Sequence, residues 1–349
     1  MQLYNKLSAL ERSTILEESG SERLTLSFYK YAHIRNPQLF RDHLFLSWDS
    51  LEVLGRIYVA HEGINAQLSL PVIYFKEFKN HLESISFLKD VKLNIAVKQN
   101  LKSFLKLTIK VRDKIVADGL EDKEFDVTNK GIHVDAIKFN QLLNDKNTIC
   151  VDMRNHYESE IGHFQNAIKP DVDTFRESLP IIEKDLSKYK EDKNLLMYCT
   201  GGIRCEKASA YFKYKGFKKV YQLEGGIIEY ARQVKKRNLE NKFIGKNFVF
   251  DDRLGEKISN DIIGTCDQCG GPCDDYTNCN YVDCNLLFIQ CKKCQVKYEG
   301  CCNSKCKKMS KLPKIEQKKL RKVRKRPSLT SFKKSIRPKE NITERNINN

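Results

Sequence analysis

The sequence contains no run of about 18 or more apolar residues, the length that a membrane-spanning helix needs. Its first ten residues lack the basic, apolar and small-residue segments of a signal peptide. We therefore expect a cytoplasmic protein with no membrane partner. Histidine is also missing where a metal site would use it, because none lies between Cys266 and Cys306.

Cysteine is abundant in that same segment, which holds ten of the 13 cysteines of the chain. In a secreted protein this density would indicate disulfides, whereas in a reducing compartment it indicates metal. Two pairs with two-residue spacing, Cys266 with Cys269 and Cys291 with Cys294, have the spacing of a structural four-thiolate zinc site. The candidates for a second site are Cys273, Cys279, Cys284, Cys301, Cys302 and Cys306. An iron–sulfur cluster and free thiols stay open as alternatives.

Positive charge is concentrated at one end of the chain. The net charge is +17, and residues 307–349 contain sixteen Lys and Arg against three Glu, which accounts for +13 of it. One interpretation is a basic, disordered arm that binds nucleic acid. The other is compositional drift, because Lys, Asn and Ile are frequent throughout the sequence. The remaining +4 does not by itself indicate an RNA-binding protein.

Hydrophobic periodicity predicts two folded domains of different architecture. The first follows the order strand, helix, strand, strand, helix, strand of a ferredoxin-like α+β domain. Its predicted elements are strands at 24–33, 54–60, 64–70, 91–97 and 105–111 and helices at 37–48 and 72–85. The second is an α/β domain with a parallel sheet. Its predicted strands are 148–153, 194–198 and 219–223, and its predicted helices are 175–186, 206–214 and 227–234.

The full division of the chain follows from these patterns and from composition. Residues 1–20 show no clear pattern, residues 118–128 are polar and acidic, and the chain after residue 237 is polar and loop-like. We predict an N-terminal segment (1–23), a ferredoxin-like domain (24–118), a linker (119–129), a parallel-sheet domain (130–238), a cysteine-rich module (239–306) and a basic tail (307–349).

The segment most indicative of chemistry follows the apolar strand at 194–198. Cys199 comes directly after it, and the next residues are Thr200, Gly201, Gly202, Ile203 and Arg204. Two glycines let backbone N–H groups turn inward, and a helix N-terminus follows, so the loop favours an anion. We therefore expect Cys199 to be a thiolate near neutral pH, with Arg204 adding positive charge and bracing the loop. Cys205 is either a resolving thiol or a packing residue.

The length of this loop separates two chemistries. Cysteine phosphatases place five residues between cysteine and arginine, whereas four lie between Cys199 and Arg204. The shorter loop resembles that of the rhodanese family. The segment Val151–Arg154, followed by Glu158, Glu160 and Gly162-His163, and the segment 221–226 are also similar to that family. The resemblance covers residues 130 to 238.

Four further segments narrow the resemblance to one family. Residues 28–31, 55–67 and 110–116 resemble the N-terminal domain of the tRNA uridine(34) hydroxylases, and residues 278–302 resemble their C-terminal module. This resemblance implies that tRNA is the partner and molecular oxygen the co-substrate. It also implies that the wobble uridine becomes 5-hydroxyuridine and that Cys199 is the essential cysteine.

The resemblance leaves the role of Cys199 open between two chemistries. It either adds covalently to C6 of uracil, which activates C5 toward oxygen, or carries a persulfide. Five basic or aromatic residues are candidates for contact with the anticodon loop, or are ordinary strand surface: Arg56, Tyr58, His61, Arg112 and Lys114. The alternative functions are a rhodanese-type sulfurtransferase and a non-catalytic zinc module that binds RNA.

Overall fold

The computed structural model of the protein describes residues 9–97, 99–120 and 125–323. Its α-helices are α1 Ala9–Ser19, α2 Pro37–Asp49, α3 Phe75–Ser84, α4 Ala136–Leu143, α5 His156–Ser159, α6 Phe175–Leu186, α7 Ile203–Tyr214, α8 Gly226–Arg237, α9 Lys292–Tyr298, α10 Ser304–Ser310 and α11 Lys314–Val323. Short 3-10 helices lie at Val72–Tyr74, Ser86–Leu88 and Ser187–Tyr189. None of the helices in these ranges is long and apolar enough to cross a bilayer.

The strands form four sheets. They are β1 Arg23–Tyr31, β2 Leu54–Ala60, β3 Gly63–Pro71, β4 Asn94–Ile95, β5 Leu107–Val111, β6 Ile132–Val134, β7 Thr148–Asp152, β8 Gly162–Phe164, β9 Asn194–Tyr198, β10 Lys219–Leu223, β11 Phe243–Asn247, β12 Glu256–Lys257, β13 Tyr276–Asn278 and β14 Leu287–Ile289. The sheet orders are β4-β1-β3-β2-β5, β6-β10-β9-β7, β12-β11-β8 and β13-β14.

The N-terminal sheet confirms the predicted ferredoxin-like domain. Strands β1, β3 and β2 pair antiparallel, β4 pairs antiparallel with β1, and β5 is added parallel to β2. Helices α2 and α3 cover one face, where Trp48 and Phe78 pack against Phe28 of β1. Because side chains alternate along a strand, the opposite face carries the polar and aromatic residues between the buried ones. That second face is turned toward the central domain.

The central domain is the predicted parallel α/β domain. Every neighbouring pair in the β6-β10-β9-β7 sheet is parallel. Alternate residues of β9 enter two cores: Leu195 and Met197 pack with residues of α6 and α7, while Leu196 and Tyr198 pack with residues of α4 and α8. Helices therefore cover both faces, and β9 ends at the edge where sites form in such sheets.

The region after Arg237 differs from the predicted loop. Phe243–Asn247 is a strand, and it pairs antiparallel with β8 of the central domain. Phe243 is fully buried against Phe164, with ring centroids 5.2 Å apart. The prediction was wrong here because a five-residue strand rich in Gly, Lys and Asn has little hydrophobic periodicity. The cysteine-rich part is thus joined directly to the central domain.

Three smaller predictions also need correction. Helix α1 lies where no pattern was predicted, because Leu16 is its one residue in the buried core among those whose burial the structure describes. The strand predicted at 91–97 shrinks to Asn94–Ile95, since β4 is an edge strand that pairs with β1 over two residues. Helix α10 continues into the predicted tail, and α11 lies within it, so the prediction of disorder was wrong for residues 307–310 and 314–323. The rest of the tail, 324–349, lies outside the described residues.

Candidate active site

Cys199 lies between the end of β9 and the start of α7, with its side chain fully buried. The backbone N–H of Gly202 donates a hydrogen bond to its Sγ at 3.1 Å. Gly202 has φ +98, and a Cβ there would lie 2.9 Å from Oη of Tyr29. Only glycine combines this backbone conformation with so close an approach by the N-terminal domain. The loop therefore points backbone N–H groups and a helix N-terminus at the sulfur.

The pKa of Cys199 is the net result of opposing effects. Burial raises the pKa of the thiol, but a hydrogen bond from the Cys205 thiol, the positive charge of Arg204 and the backbone N–H groups of both residues lower it to about 6. Cys205 is affected in the other direction, since burial and the neighbouring Cys199 raise its pKa well above the ordinary value. At neutral pH Cys199 is thus a thiolate beside a protonated thiol.

Arg204 is held by a carboxylate that the sequence analysis noted only as part of a family segment. Its Nη1 and Nη2 donate to Oε1 and Oε2 of Glu158 at 2.6 and 2.8 Å. Oγ1 of Thr200 donates to the same carboxylate at 3.3 Å, and Glu158 is fully buried. This bidentate pair braces the loop and neutralises part of the arginine charge. The Asn-x-x-Glu spacing from Asn155, a capping box of α5, was the available sequence signal.

A cavity of about 410 Å³ opens in front of the loop. Its walls come from the ferredoxin-like sheet, the Cys199 loop and the segment after β11. Its lining residues include Ser27, Tyr29, Arg56, Tyr58, Asn65, Gln67, Asn94, Cys199, Arg204 and Phe250. The volume lies within the range of about 300 to 1,000 Å³ that is usual for small-molecule sites. The thiolate therefore faces a chamber between two domains.

The five candidate RNA-contacting residues separate into two groups. Arg56 and Tyr58 line the cavity. Arg112 lies over the Tyr58 ring, 5.6 Å from its centroid, and so contacts the cavity wall from outside. Nδ1 of His61 lies 2.9 Å from the carbonyl oxygen of Ile34, a contact within the N-terminal domain.

Lys114, like His61, makes contacts inside the protein and does not line the cavity. Its Nζ donates to Oδ1 of Asp118 at 2.9 Å and to the carbonyl oxygen of Leu120. The structure therefore brings Arg56 and Tyr58 to Cys199, whereas His61 and Lys114 are engaged in contacts inside the protein.

Polar contacts of Tyr29 and of Lys207 tie the domains together around the site. Oη of Tyr29 donates to Oε1 of Glu206 on α7 at 3.0 Å, and burial, followed by the charges of Glu206 and Cys199, raises the pKa of this tyrosine well above the ordinary value. Lys207, fully buried, pairs with Glu62 at 2.5 Å and Asp118 at 2.7 Å. These residues position the ferredoxin-like sheet over the loop. Sequence patterns did not reveal them, because each contact joins distant segments.

The cysteine-rich part contains two groups of four sulfur atoms. Cys266, Cys269, Cys291 and Cys294 form one group, with all four Sγ atoms within 4.8 Å of one another. Sγ of Cys269 lies 3.7 Å from Sγ of Cys291, close to the separation of about 3.8 Å that a tetrahedral Zn²⁺ with 2.3 Å bonds imposes. The backbone N–H of Cys291 also donates to Sγ of Cys266 at 3.4 Å. The structure thus brings together the four cysteines named from their spacing.

The second group has the same geometry. It consists of Cys279, Cys284, Cys302 and Cys306, also within 4.8 Å of one another. Sγ of Cys284 lies 3.7 Å from Sγ of Cys302, and the backbone N–H of Cys302 donates to Sγ of Cys279 at 3.5 Å. Of the six second-site candidates, Cys273 and Cys301 lie outside both groups.

The parallel sheet and the thiolate loop at the end of β9 define a rhodanese-type domain. The family model described as "Rhodanese-like domain" matches residues 135–233. Two further family models flank it: "UPF0176 acylphosphatase like domain" matches residues 23–115, and "Rhodanase C-terminal" matches residues 244–307. All three parts of the described chain thus belong to recognised domain families.

Comparison with whole proteins narrows this class to one family. The tRNA uridine(34) hydroxylase of Leptospira interrogans is 54% identical over 93% of this chain and 88% of that protein. The proteins of the same name from Photorhabdus laumondii and Pectobacterium atrosepticum are 51% and 52% identical, over 90% and 91% of this chain and 90% of each relative. The chain belongs to the tRNA uridine(34) hydroxylase family. The resemblance inferred from sequence motifs is confirmed.

Proposed function

We propose that this protein hydroxylates the wobble uridine of tRNA at C5, with molecular oxygen as co-substrate and Cys199 as nucleophile. The proposal is supported by family membership along nearly the whole chain and by one structural observation. That observation is a thiolate, Cys199, with a pKa of about 6 at the wall of a cavity of about 410 Å³ between two domains. The relatives named above carry the name of hydroxylases rather than sulfurtransferases. tRNA as the substrate favours the cytoplasm as the place of reaction.

The chemistry of uracil suits a thiolate nucleophile. The C5=C6 bond is electrophilic at C6, so addition of the Cys199 sulfur forms a C6–S bond and moves an electron pair onto C5. The electron-rich C5 reacts with oxygen and forms a C5–O bond. Loss of the C5 proton and departure of the thiolate then restore the double bond. The second oxygen atom leaves as water, with two electrons and two protons from a thiol reductant.

The Cys199 loop assists both the addition and the elimination step, because it stabilises the sulfur as an anion. The N–H of Gly202 and the charge of Arg204 favour the thiolate before addition and after elimination. The ion pair with Glu158 holds the Arg204 side chain in one position beside the loop. Arg56 lies at the cavity and is exposed, which suits contact with the phosphates next to the target base.

Both groups of four cysteines are suited to structural Zn²⁺. Four thiolates at tetrahedral spacing, each group with a backbone N–H donating to one sulfur, are typical of closed zinc sites. Neither group lies in the Cys199 cavity, so the metal would hold the fold of the C-terminal part. The residues that would bind it are Cys266, Cys269, Cys291 and Cys294 in one site and Cys279, Cys284, Cys302 and Cys306 in the other.

A labelling experiment tests the proposed activity. The purified protein is incubated with tRNA transcript under ¹⁸O₂ and a thiol reductant, and nucleosides are analysed by mass spectrometry. We expect 5-hydroxyuridine at position 34 that contains oxygen-18, and unlabelled product when the label is in water instead. Sulfur transfer from thiosulfate without any hydroxylated nucleoside would favour the sulfurtransferase alternative.

A further inference from the structure

Strand β5 is the edge strand of the ferredoxin-like sheet, next to the β2 residues that line the Cys199 cavity. It pairs with β2 in the register Arg56 with Thr108 and Tyr58 with Lys110. Residues paired across neighbouring strands point to the same face of a sheet, so these two β5 residues share the face of their β2 partners. The open face of β5 thus continues the cavity wall to the edge of the sheet.

The open face of β5 is mostly basic. Backbone hydrogen bonds with β2 extend the pairing to Lys106 and Arg112, one residue beyond each end of the strand. The alternate residues Leu107 and Ile109 are buried in the core on the other face. The side chains that remain on the open face are called the β5 row: Lys106, Thr108, Lys110 and Arg112.

The three cations of the β5 row have no carboxylate partner. Lys106, Lys110 and Arg112 are exposed, and none of them forms an ion pair among the residues that the structure describes. Arg56 beside them is exposed too, and its charge is offset only in part by Asp252. Partial burial and a neighbouring carboxylate raise the pKa of Asp252, and the charge of Arg56 opposes that rise. A row of unpaired positive charge along one edge attracts a polyanion.

A second cavity, of about 470 Å³, lies on the same face. Arg56, Lys106 and Thr108 line it, together with residues of the segment after β11. It shares Arg56 and Phe250 with the Cys199 cavity, so the two spaces adjoin. Its volume is also within the range of about 300 to 1,000 Å³ for small-molecule sites. There is therefore room for a second nucleotide beside the one that enters the Cys199 cavity.

The spacing of the β5 row suits the backbone of a single RNA strand. Residues two positions apart on a strand are about 6.6 Å apart along it, and successive phosphates of an extended RNA strand have a similar separation. Lysine and arginine are side chains that commonly contact phosphate oxygens, and the hydroxyl group of Thr108 can donate to them as well. From Lys106 to Arg112 the row is about 20 Å long, which is enough for several consecutive phosphates.

We propose that the β5 row and Arg56 hold the phosphates of the anticodon-loop nucleotides that flank the target uridine. The target base then enters the Cys199 cavity, and its neighbour lies in the second cavity. This inference rests on the proposed function for the identity of the RNA and extends it to the surface that binds the RNA backbone. It assigns a role to Lys106, Thr108 and Lys110, which the sequence analysis did not name.

The test removes two charges from the β5 row and, as a matched control, two from the opposite side of the same domain. Lys106→Gln/Lys110→Gln is compared with Lys76→Gln/Lys79→Gln, which changes two exposed lysines of α3. Affinity is measured against salt concentration for a whole tRNA and for its isolated anticodon stem-loop, with full-length Cys199→Ser protein. The melting temperature, and the alkylation rate of Cys199 in protein that retains it, report that fold and thiolate are intact.

We expect Lys106→Gln/Lys110→Gln to weaken the binding of both RNAs by about 10-fold or more at low salt. The log–log dependence of affinity on salt should become shallower by about 1.4, because each phosphate contact with a single strand contributes about 0.7. The control variant should keep the salt slope and stay within about 2-fold of the unsubstituted affinity.

Equal affinities and slopes in Lys106→Gln/Lys110→Gln and the control would overturn the proposal and leave the lysines as protection of an edge strand. A loss with whole tRNA but not with the stem-loop would overturn it too, because the contacts would then lie elsewhere on the tRNA. Hydroxylation is measured separately with the unsubstituted protein. Weaker, less salt-dependent binding by the row variant, with no hydroxylation by the unsubstituted protein, would support the β5 row and contradict the proposed activity.

Discussion

At Cys199, burial and charge act in opposite directions on one thiol. Burial alone would make it an inert core cysteine, as it does for Cys150, whose pKa burial raises well above the ordinary value. The glycine turn, the helix N-terminus and Arg204 reverse that outcome. Cys199 and Cys205 lie in one strand–loop–helix segment and still differ in reactivity because of their positions, since Cys205, six residues after Cys199, remains a thiol.

The low pKa predicts how fast Cys199 is alkylated at each pH. The thiolate is present above pH 6 and is lost as pH falls through about 6, so the iodoacetamide rate is flat near pH 7 to 8 and falls tenfold per unit well below pH 6. Arg204→Gln removes a nearby positive charge and shifts the midpoint upward. Glu158→Gln removes the opposing negative charge and shifts it downward.

These two shifts of opposite sign test whether side-chain charges lower the pKa of Cys199. The Cys205→Ser variant serves as the labelling control, because it shows which thiol the reagent reaches. If both Arg204→Gln and Glu158→Gln leave the midpoint unchanged, backbone dipoles alone determine the pKa.

Among the elements, the Cys199 loop depends on the sheet packed against it. Gly202 and Gly216 both have positive φ, +98 and +93. A Cβ at Gly202 would lie 2.9 Å from Oη of Tyr29, whereas a Cβ at Gly216 would have no other atom within 4 Å. Gly202→Ala and Gly216→Ala both carry the conformational cost of about 1 to 2 kcal/mol for a non-glycine residue at positive φ. Only Gly202→Ala also pushes the two domains apart.

We therefore expect Gly202→Ala to lower kcat/KM strongly and Gly216→Ala to leave it nearly normal, although both lower the melting temperature. Thermal unfolding and single-turnover hydroxylation measure the two effects separately. Equal activity in the two variants would show that the contact with Tyr29 does not position the loop.

The two groups of four cysteines predict that the cysteine-rich part needs bound metal to fold stably. Elemental analysis of protein prepared under reducing conditions should find two zinc ions per chain, and a chelator should lower the melting temperature because binding is coupled to folding. Cys291→Ser should lose at least one ion. Cys273→Ser, a buried cysteine outside both groups, should keep two. Protein that contains no metal would refute both sites.

Sequence patterns predicted the features of the structure that depend on neighbouring residues. The sequence predicted the Cys199 loop between a strand and a helix, the split βαβ order and the spaced cysteine pairs. Each of these has a signal in the local order or spacing of residues. Tyr29 and Glu158 were not assigned a role in the site, because the residues that they contact there lie 177 and 46 positions away. Strand β11 was missed since its pairing with β8, not its own composition, makes it a strand.

Over the whole molecule, most of the excess positive charge lies in a different part of the chain from the Cys199 site. The Cys199 loop lies in the central domain, and most of the excess positive charge lies after residue 306. Helix α10 extends into that region and carries Cys306 of the second cysteine group, so a deletion that tests charge should start beyond the helix. Truncation after Leu312 removes thirteen of the sixteen basic residues of 307–349 and keeps Lys307, Lys308 and Lys311.

The truncated protein should bind tRNA more weakly at low salt. Each lost phosphate contact makes the log–log dependence of affinity on salt shallower by about 0.7 to 0.9. Turnover at saturating tRNA should stay nearly normal, because the nucleophile is untouched. A full-length chain with a shuffled tail is the matched control and should keep the steep slope. Identical slopes for truncated and full-length protein would remove the tail from tRNA binding and favour compositional drift.

Hydroxylation of the wobble uridine is proposed to proceed through addition of the Cys199 thiolate. Its most direct test is nucleoside mass spectrometry of tRNA from a strain that lacks the gene, complemented with the unaltered gene, with Cys199→Ser or with Cys205→Ser. We expect 5-hydroxyuridine with the unaltered gene, none with Cys199→Ser at equal protein level, and retained product with Cys205→Ser. Full modification of the wobble uridine by Cys199→Ser would contradict it.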